Sequence, residues 1–283
     1  MWGFGVVRIV TDSPADIPPV LAKELGIVVI PLYVRFGSEV YRDGVDLTPD
    51  EFYRKLVTNR SLPVTSTPAP GEIAQVYDTL AEETEEIVSI HVSSKLSATY
   101  EVALQAREQM KKKCRVELVD SMSGAMGEGL VVIAAAKEAR KGTGLEQVAN
   151  LAREAALKSH VYMCFDTLEF LRRGGRIGRA QALLGSVLKV NPIIGVKDGE
   201  THPYGRERSR ARAIDRVFDF VKSLPSIGEL AVEHASTPDE AEALADRLGG
   251  IFPRERIYMS RVAPAVGVHV GPHVIAVSAL EGQ

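Results

Sequence analysis

Cysteine is scarce: Cys114 and Cys164 are the only two in 283 residues. Two thiols provide no disulfide framework and fit a reducing compartment, so the chain reads as cytoplasmic. Long hydrophobic runs are also missing. The longest, Leu130–Ala136, is far shorter than the roughly 18 residues of a membrane span. The opening stretch Met1–Arg8 has no basic n-region and is interrupted by Arg8 and Asp12, so it does not read as a secretory signal. Neither sign of charge dominates, and a net charge of -3 argues against general nucleic-acid binding. Glycine (24) and proline (15) are near average, which sets aside collagenous and disordered chains. What remains, 45% hydrophobic and 25% charged, is the balance of a soluble globular protein, long enough for two ordinary domains or one large α/β domain.

Several catalytic engines are absent too. No G-x-x-x-x-G-K-[ST] is present, so no Walker loop supports ATP use. Gly124, Gly127 and Gly129 have the wrong spacing for a dinucleotide fingerprint and read as close helix packing. There is no G-x-S-x-G elbow. His269 and His273 are four apart, but Gly271-Pro272 between them breaks any helix that would aim both at one zinc. No metal site is expected.

Strand and helix patterns alternate along the chain. Val6–Val10, Ile27–Val34, Ile87–Val92 and Arg115–Val119 are short β-branched runs close to segments of helical period. The first half therefore reads as repeated βα units and a mostly parallel sheet with flanking helices. Asp16 is placed to cap a helix opened by Pro18 and Pro19. Thr48-Pro-Asp-Glu51 has the spacing of a capping box, and Lys111–Lys113 reads as the solvated end of the helix opening near Ser97. The texture changes near Leu157–His160, dividing the chain into 1–157 and 158–283. The second part has strands at His160–Phe165, Pro192–Val196, Glu229–Glu233 and Val274–Ser278. A helix after Arg208 buries Ile214, Val217, Phe218 and Val221, and another, capped by Ser236 or Thr237, runs to Leu248.

Hydroxyls are plentiful at two strand ends. Thr65, Ser66 and Thr67 stand just before a helix opening near Gly71, and Ser93, Ser94, Ser97 and Thr99 follow directly on Ile87–Val92. Ligands of open α/β sheets sit outside the carboxyl ends of the strands, where helix N-termini favour anions. Each hydroxyl also has an ordinary use as a helix cap. Two such clusters, both at strand ends, point to a shared ligand.

The chain resembles the DegV family of bacterial fatty-acid-binding proteins over nearly its whole length. The resemblance is carried by Val10-Thr-Asp-Ser13, Val29-Ile-Pro-Leu32, Tyr41-Arg-Asp-Gly44, Thr65-Ser66 ahead of Pro68, and Ser93-Ser94 with Leu96-Ser97 and Thr99-Tyr100. It continues through Asp166-Thr-Leu-Glu-Phe-Leu-Arg-Arg-Gly-Gly-Arg-Ile-Gly178, Asn191-Pro192-Ile193, Asp198-Gly199 with Pro203, Arg208 and His269-Val-Gly-Pro272. It implies two α/β domains, the second with a mixed sheet, and a long-chain fatty acid held near their interface. It further implies a non-catalytic carrier without cofactor, presenting the fatty acid carboxylate to a separate ATP-binding fatty acid kinase subunit. Carried over by position, Thr65 and Ser93 resemble the hydroxyl ligands of the carboxylate, His269 the histidine beside it and Arg208 the arginine completing the polar end. Ser66 and Ser94 are further contacts. Ala98 and His273 depart from the family's glycines and are expected to add bulk near that site.

The arginines Arg172, Arg173, Arg176, Arg179, Arg206, Arg208, Arg210 and Arg212 read mostly as a solvated face. A sharper reading makes them a basic surface for an acidic kinase partner or brief contact with anionic lipid. Two other functions stay open: a hydrolase with Ser93 as nucleophile and His269 as base, acting on an ester or acyl phosphate, and a sensor or binder of another anionic lipid.

Overall fold

The β-branched runs of the first half become parallel strands because the helices between them carry the chain back across the sheet. The computed structural model describes residues 6–59, 61–184 and 190–282; residues 1–5, on which the reading of the opening stretch mostly rests, lie outside them. β1 (Arg8–Asp12) leads through α1 (Pro19–Leu25) to β2 (Val28–Ile30). A hairpin of β3 (Tyr33–Phe36) and β4 (Glu39–Arg42) follows, then α2 (Pro49–Thr58) and β5 (Val64–Ser66). The parallel pattern resumes with α3 (Pro70–Leu80), β6 (Glu86–His91), α4 (Thr99–Glu108) and β7 (Arg115–Asp120), ending on α5 (Met126–Ala139) and α6 (Leu145–Leu157). Two sheets result, a parallel one in the order β2-β1-β6-β7 and a small antiparallel one in the order β4-β3-β5.

The second half begins with β8 (Ser159–Cys164), α7 (Glu169–Arg173), β9 (Asn191–Lys197) and β10 (Glu200–Glu207). It continues with α8 (Arg210–Lys222), β11 (Glu229–His234), α9 (Pro238–Leu248), β12 (Ile257–Arg261), α10 (Pro264–Val270) and β13 (Ile275–Leu280). Its strands form one mixed sheet in the order β10-β9-β8-β13-β11-β12, in which the β11–β12 pair runs parallel. The expected α/β fold, a parallel sheet with helices beside a second unit with a mixed sheet, is what the chain adopts. Among the described residues no helix is long and apolar enough to cross a membrane.

α5 joins the two halves. Leu130, Val131, Val132 and Ile133 are all fully buried, because the helix touches β1 and β6 on one side and β8, β11 and β13 on the other. Gly127 and Gly129 permit that approach. A Cβ at 127 would fall 2.2 Å from Val161 Cγ2, and one at 129 would fall 2.4 Å from the Ala15 carbonyl oxygen. The packing reading of these glycines holds.

Three expectations need correction. The run Ile27–Val34 is not one strand: Pro31 lacks a ladder N–H, and the chain leaves the parallel sheet there to start the small one. Asp16 does not cap α1. It adopts a left-handed conformation (φ 52°) after a short 3₁₀ turn, which swings its carboxylate away from α1 to accept Ala263 N–H at 3.0 Å. α1 opens instead behind Pro18 without a side-chain cap. Lys111–Lys113 lie beyond α4, which ends at Glu108; the backbone N–H groups of Lys111 and Lys112 are drawn to the Asp78 carboxylate at 2.9 Å. The Thr48–Glu51 capping box is present as expected.

Candidate ligand-binding site

A cavity of about 740 Å³, its mouth included, lies between the small sheet, the end of β6 and the second sheet. Its walls are chiefly apolar, with Leu32, Val92, Met163, Phe165, Ile194 and Val270 among them, and its polar lining consists of Thr65, Ser97, Arg176, Thr201 and His269.

Strand alternation decides which hydroxyl of the first cluster faces inward. Thr65 pairs with the buried Val34 across β3–β5, whereas Ser66 pairs with Tyr33, so the two side chains point to opposite faces. Thr65 lines the cavity and Ser66 is exposed. The Thr65 Oγ1 lies 3.2 Å from Nε2 of His269, which the last turn of α10 carries into the cavity. The start of that short helix is fixed by carboxylates from the first half: Asp16 accepts Ala263 N–H and Asp43 accepts Ala265 N–H at 3.2 Å.

The imidazole is kept neutral. Burial, and then the nearby Arg176 guanidinium, push the His269 pKa down to about 4. Its Nδ1 has no hydrogen-bond partner among the described residues and lies against Gly174, where a Cβ would come within 2.2 Å of it. Arg176 itself donates from Nε to the Leu96 carbonyl (2.9 Å) and from Nη1 to the Gly174 carbonyl (2.8 Å). A neutral donor pair beside a guanidinium, in an otherwise apolar cavity, suits a single anionic head on an apolar body.

The other anticipated residues lie elsewhere. Ser93 is fully buried but does not line the cavity; its hydroxyl donates to the Gly199 carbonyl at 2.8 Å and accepts from Lys95 N–H at 3.3 Å. It therefore forms no pair with His269 of the kind a serine hydrolase uses. Ser94 is half-buried, its backbone N–H donating to Asp120 at 3.3 Å. Arg208 is exposed at the bend before α8, outside the cavity lining. The guanidinium that does line it is that of Arg176, one of the eight arginines that read together as a solvated face. The adjoining Gly174-Gly175 brings the backbone of that turn against His269. Ala98 is exposed at the start of α4, and His273 is an exposed neighbour of Asp166, 3.8 Å away. Neither adds bulk to the cavity, because both stand past the elements that line it. Among the described residues no cluster of histidine, cysteine and carboxylate side chains could hold a metal ion.

A family model described as "uncharacterised protein, DegV family" matches residues 6–282. The chain belongs to the DegV family. A DegV domain-containing protein of Halalkalibacterium halodurans is 36% identical over 278 residues, covering 96% of this chain and 97% of the relative. Protein DegV of Bacillus subtilis is 31% identical over 275 residues, covering 96% and 98%. Among solved structures, a DegV family protein from Thermus thermophilus, described by its fatty acid binding, superposes with a TM-score of 0.90 at 31% identity, over 98% of this chain and 100% of that one. DegV from Bacillus subtilis, described as a fatty acid binding protein, superposes with a TM-score of 0.88 at 30% identity, over 98% and 99%.

Proposed function

We propose that this DegV-family chain binds one long-chain fatty acid, with the tail in the apolar cavity between units 1–157 and 158–283 and the carboxylate at Thr65 and His269. The single observation that carries this reading is the Thr65–His269 pair, with Arg176 beside it, set in a cavity otherwise walled by apolar side chains. Each buried methylene contributes about 0.8 kcal/mol, so a dozen supply on the order of 10 kcal/mol, part of which ordering and association consume. The head cannot be buried bare; hydrogen bonds and a guanidinium supply what water gave it. Of the other anticipated contacts, Ser93 is held by the Gly199 carbonyl, Ser94, Ser66 and Arg208 lie outside the cavity lining, and the proposed head-group set is Thr65, His269 and Arg176.

The carrier reading goes further. No cofactor is needed, and a separate ATP-binding fatty acid kinase subunit is the proposed partner for acyl phosphate formation in the cytoplasm, with brief contact at an anionic membrane surface for loading. The neutral, unoriented His269 supports a binding role over a hydrolytic one.

Organic extraction and mass spectrometry of the freshly purified chain test the proposal. A long-chain fatty acid at near one per chain is expected; phospholipid, sugar or nucleotide in its place would overturn it. Adding an ATP-binding kinase subunit should then yield acyl phosphate, which the chain alone should not make.

A further inference from the structure

A second cleft lies behind the apolar cavity, at the carboxyl ends of β1 and β2. The two share a wall: Pro14, Leu32 and Ala265 line the cavity, whereas their chain neighbours Ser13, Pro31 and Pro264 line the cleft. The cleft is open to solvent and holds about 1930 Å³, its mouth included. Its walls are chiefly apolar, with Ile17, Val29, Val45 and Met259 among them, and six of its lining residues are prolines. Proline has no N–H, so these walls give an extended peptide few donors to pair with. They suit a small aliphatic body better.

The polar lining is acidic and short of donors. Asp16 and Asp43 are both buried, and each gives one oxygen to the chain entering α10. Asp16 accepts Ala263 N–H at 3.0 Å, and Asp43 Oδ2 accepts Ala265 N–H at 3.2 Å. Pro264, between them, has no N–H to give. The remaining oxygens, Asp16 Oδ2 and Asp43 Oδ1, are buried with no hydrogen-bond partner among the described residues. His234, at the end of β11, is 9% exposed, and its Nδ1 is unpartnered in the same way. All three residues line the cleft. A buried polar atom left bare costs free energy, so three in one cleft call for a ligand that donates to them.

Among the described residues, the groups facing these carboxyls do not neutralise them. Asp16 faces Glu233 of β11, Glu128 of α5 and Asp43, and Asp43 faces Asp12. Ser13, beside Asp43, accepts Leu32 N–H at 3.1 Å. Tyr53 of α2, near Asp16, donates its hydroxyl to the Val262 carbonyl at 3.1 Å. Of the cations in the lining, Arg261 is turned to Asp50 at 2.8 Å and to the Ala235 carbonyl at 3.2 Å, and Lys23 is exposed on α1. Among the described residues no cluster could hold a metal ion. The charge therefore calls for an organic cation.

We propose that this cleft is a second ligand site, taking a small aliphatic amine whose ammonium group is received by Asp16, Asp43 and His234 while its chain rests on the apolar walls. An ammonium has three donors and no acceptor, which matches three bare acceptor atoms. His234 accepts as a neutral imidazole, since burial holds its pKa down to about 4. Its occupancy does not depend on what fills the apolar cavity. Burial pushes the Asp43 carboxyl up to about 6 and Asp16 well above its usual range. A bound cation favours the charged carboxylates, and an alkylamine, with a pKa of about 10.4 like that of lysine, stays protonated below pH 9. Affinity for the amine should therefore rise with pH.

Methionine-methyl NMR tests the site and reads the two cavities separately, since Met259 lines the cleft and Met163 the apolar cavity. Protein carrying carbon-13 at its methionine methyls is titrated with butylamine, butanol and butyrate at pH 8 and constant ionic strength. Butylamine should move the Met259 signal saturably and leave Met163 in place. It should bind about tenfold more tightly than butanol, or better, and butyrate should leave Met259 unmoved. Asp43→Asn and Asp16→Asn, each shown to fold by its thermal melt, should weaken butylamine about tenfold or more. In wild type, affinity for butylamine should rise about fivefold or more between pH 5.5 and 8.5, while that for butanol should not change. No saturable shift at Met259, a response at Met163 in its place, or equal affinities for butylamine and butanol would overturn the site. So would wild-type affinity in whichever amide variant folds. If neither folds, the wild-type pH profile decides, and a flat one overturns the site.

Discussion

Replacing Thr65 by valine removes one hydroxyl and nearly nothing else. Valine keeps the volume and the β-branching that suit β5, and it faces inward in the same register with Val34. In the free protein the loss is the 3.2 Å bond to His269 Nε2. A neutral hydrogen bond contributes about 1 kcal/mol net, and stranding the buried partner raises the cost towards about 3 kcal/mol. Stranding is expected here, because Nδ1 of the same ring already has no partner among the described residues. The melting temperature should therefore fall by a few degrees, at roughly 2–4 °C per kcal/mol for a chain of this class. In the complex the lost bond is charge-assisted and is worth about 1.5–3 kcal/mol, so fatty-acid affinity should fall roughly tenfold to a hundredfold. Displacement of a fluorescent acyl probe from delipidated protein measures it. Thr65→Ser, which keeps the hydroxyl, should stay within a few-fold of wild type, and affinity for the matching fatty alcohol should fall less than that for the acid. Wild-type affinity in Thr65→Val would refute the reasoning. So would equal losses in the serine and valine variants, since the hydroxyl would then not be what matters.

Gly174→Ala places a methyl group 2.2 Å from His269 Nδ1, so the ring must turn away from Thr65; affinity should drop at least tenfold in the same probe assay, and the melting temperature should fall by at least the few degrees expected for Thr65→Val. His269 gives the free fold a pH dependence of its own. Its folded-state pKa of about 4 lies below the usual histidine value of 6.5, so its stabilising contribution is present above about pH 6.5 and is lost as pH falls towards 4. Delipidated His269→Gln should show a smaller loss of melting temperature than wild type between pH 6.5 and 4.5. Burial raises the thiol pKa values of Cys114 and Cys164 to about 11 and 12, so both should alkylate far more slowly at pH 8 in the native fold than in denaturant, as mass spectrometry of iodoacetamide-treated samples would show.

The parallel half was legible because its information is local. β-branched runs next to helical periods, and a Thr48–Glu51 cap, describe a βα unit wherever they occur. Gly127 and Gly129 also said what they do, since their spacing fits helix packing and little else. Asp16 misled because its partner, Ala263, is 247 positions away, and a nearer helix start was available to explain it. The site shows the same division. Thr65 and His269 come together across 204 positions, which no local pattern contains; the family resemblance supplied both. The difference between Thr65 and Ser66 was within reach, since neighbours on a strand face opposite ways. Arg176 was not, because an arginine that bonds two backbone carbonyls looks in sequence like the solvated arginines around it.

The burial of α5 on both flanks has a consequence for how the chain is made. When the ribosome has synthesised Ala139, one flank of this helix can rest on β1 and β6, but the strands that cover the other flank, β8, β11 and β13, do not yet exist. At roughly 5–20 residues per second, the stretch to Leu280 takes on the order of 10 s. For that interval the nascent chain presents an apolar helical flank that only later synthesis can cover. A transcript truncated after Leu157 would leave it uncovered permanently, so the first half released alone should be a client of chaperones and proteases rather than a soluble product.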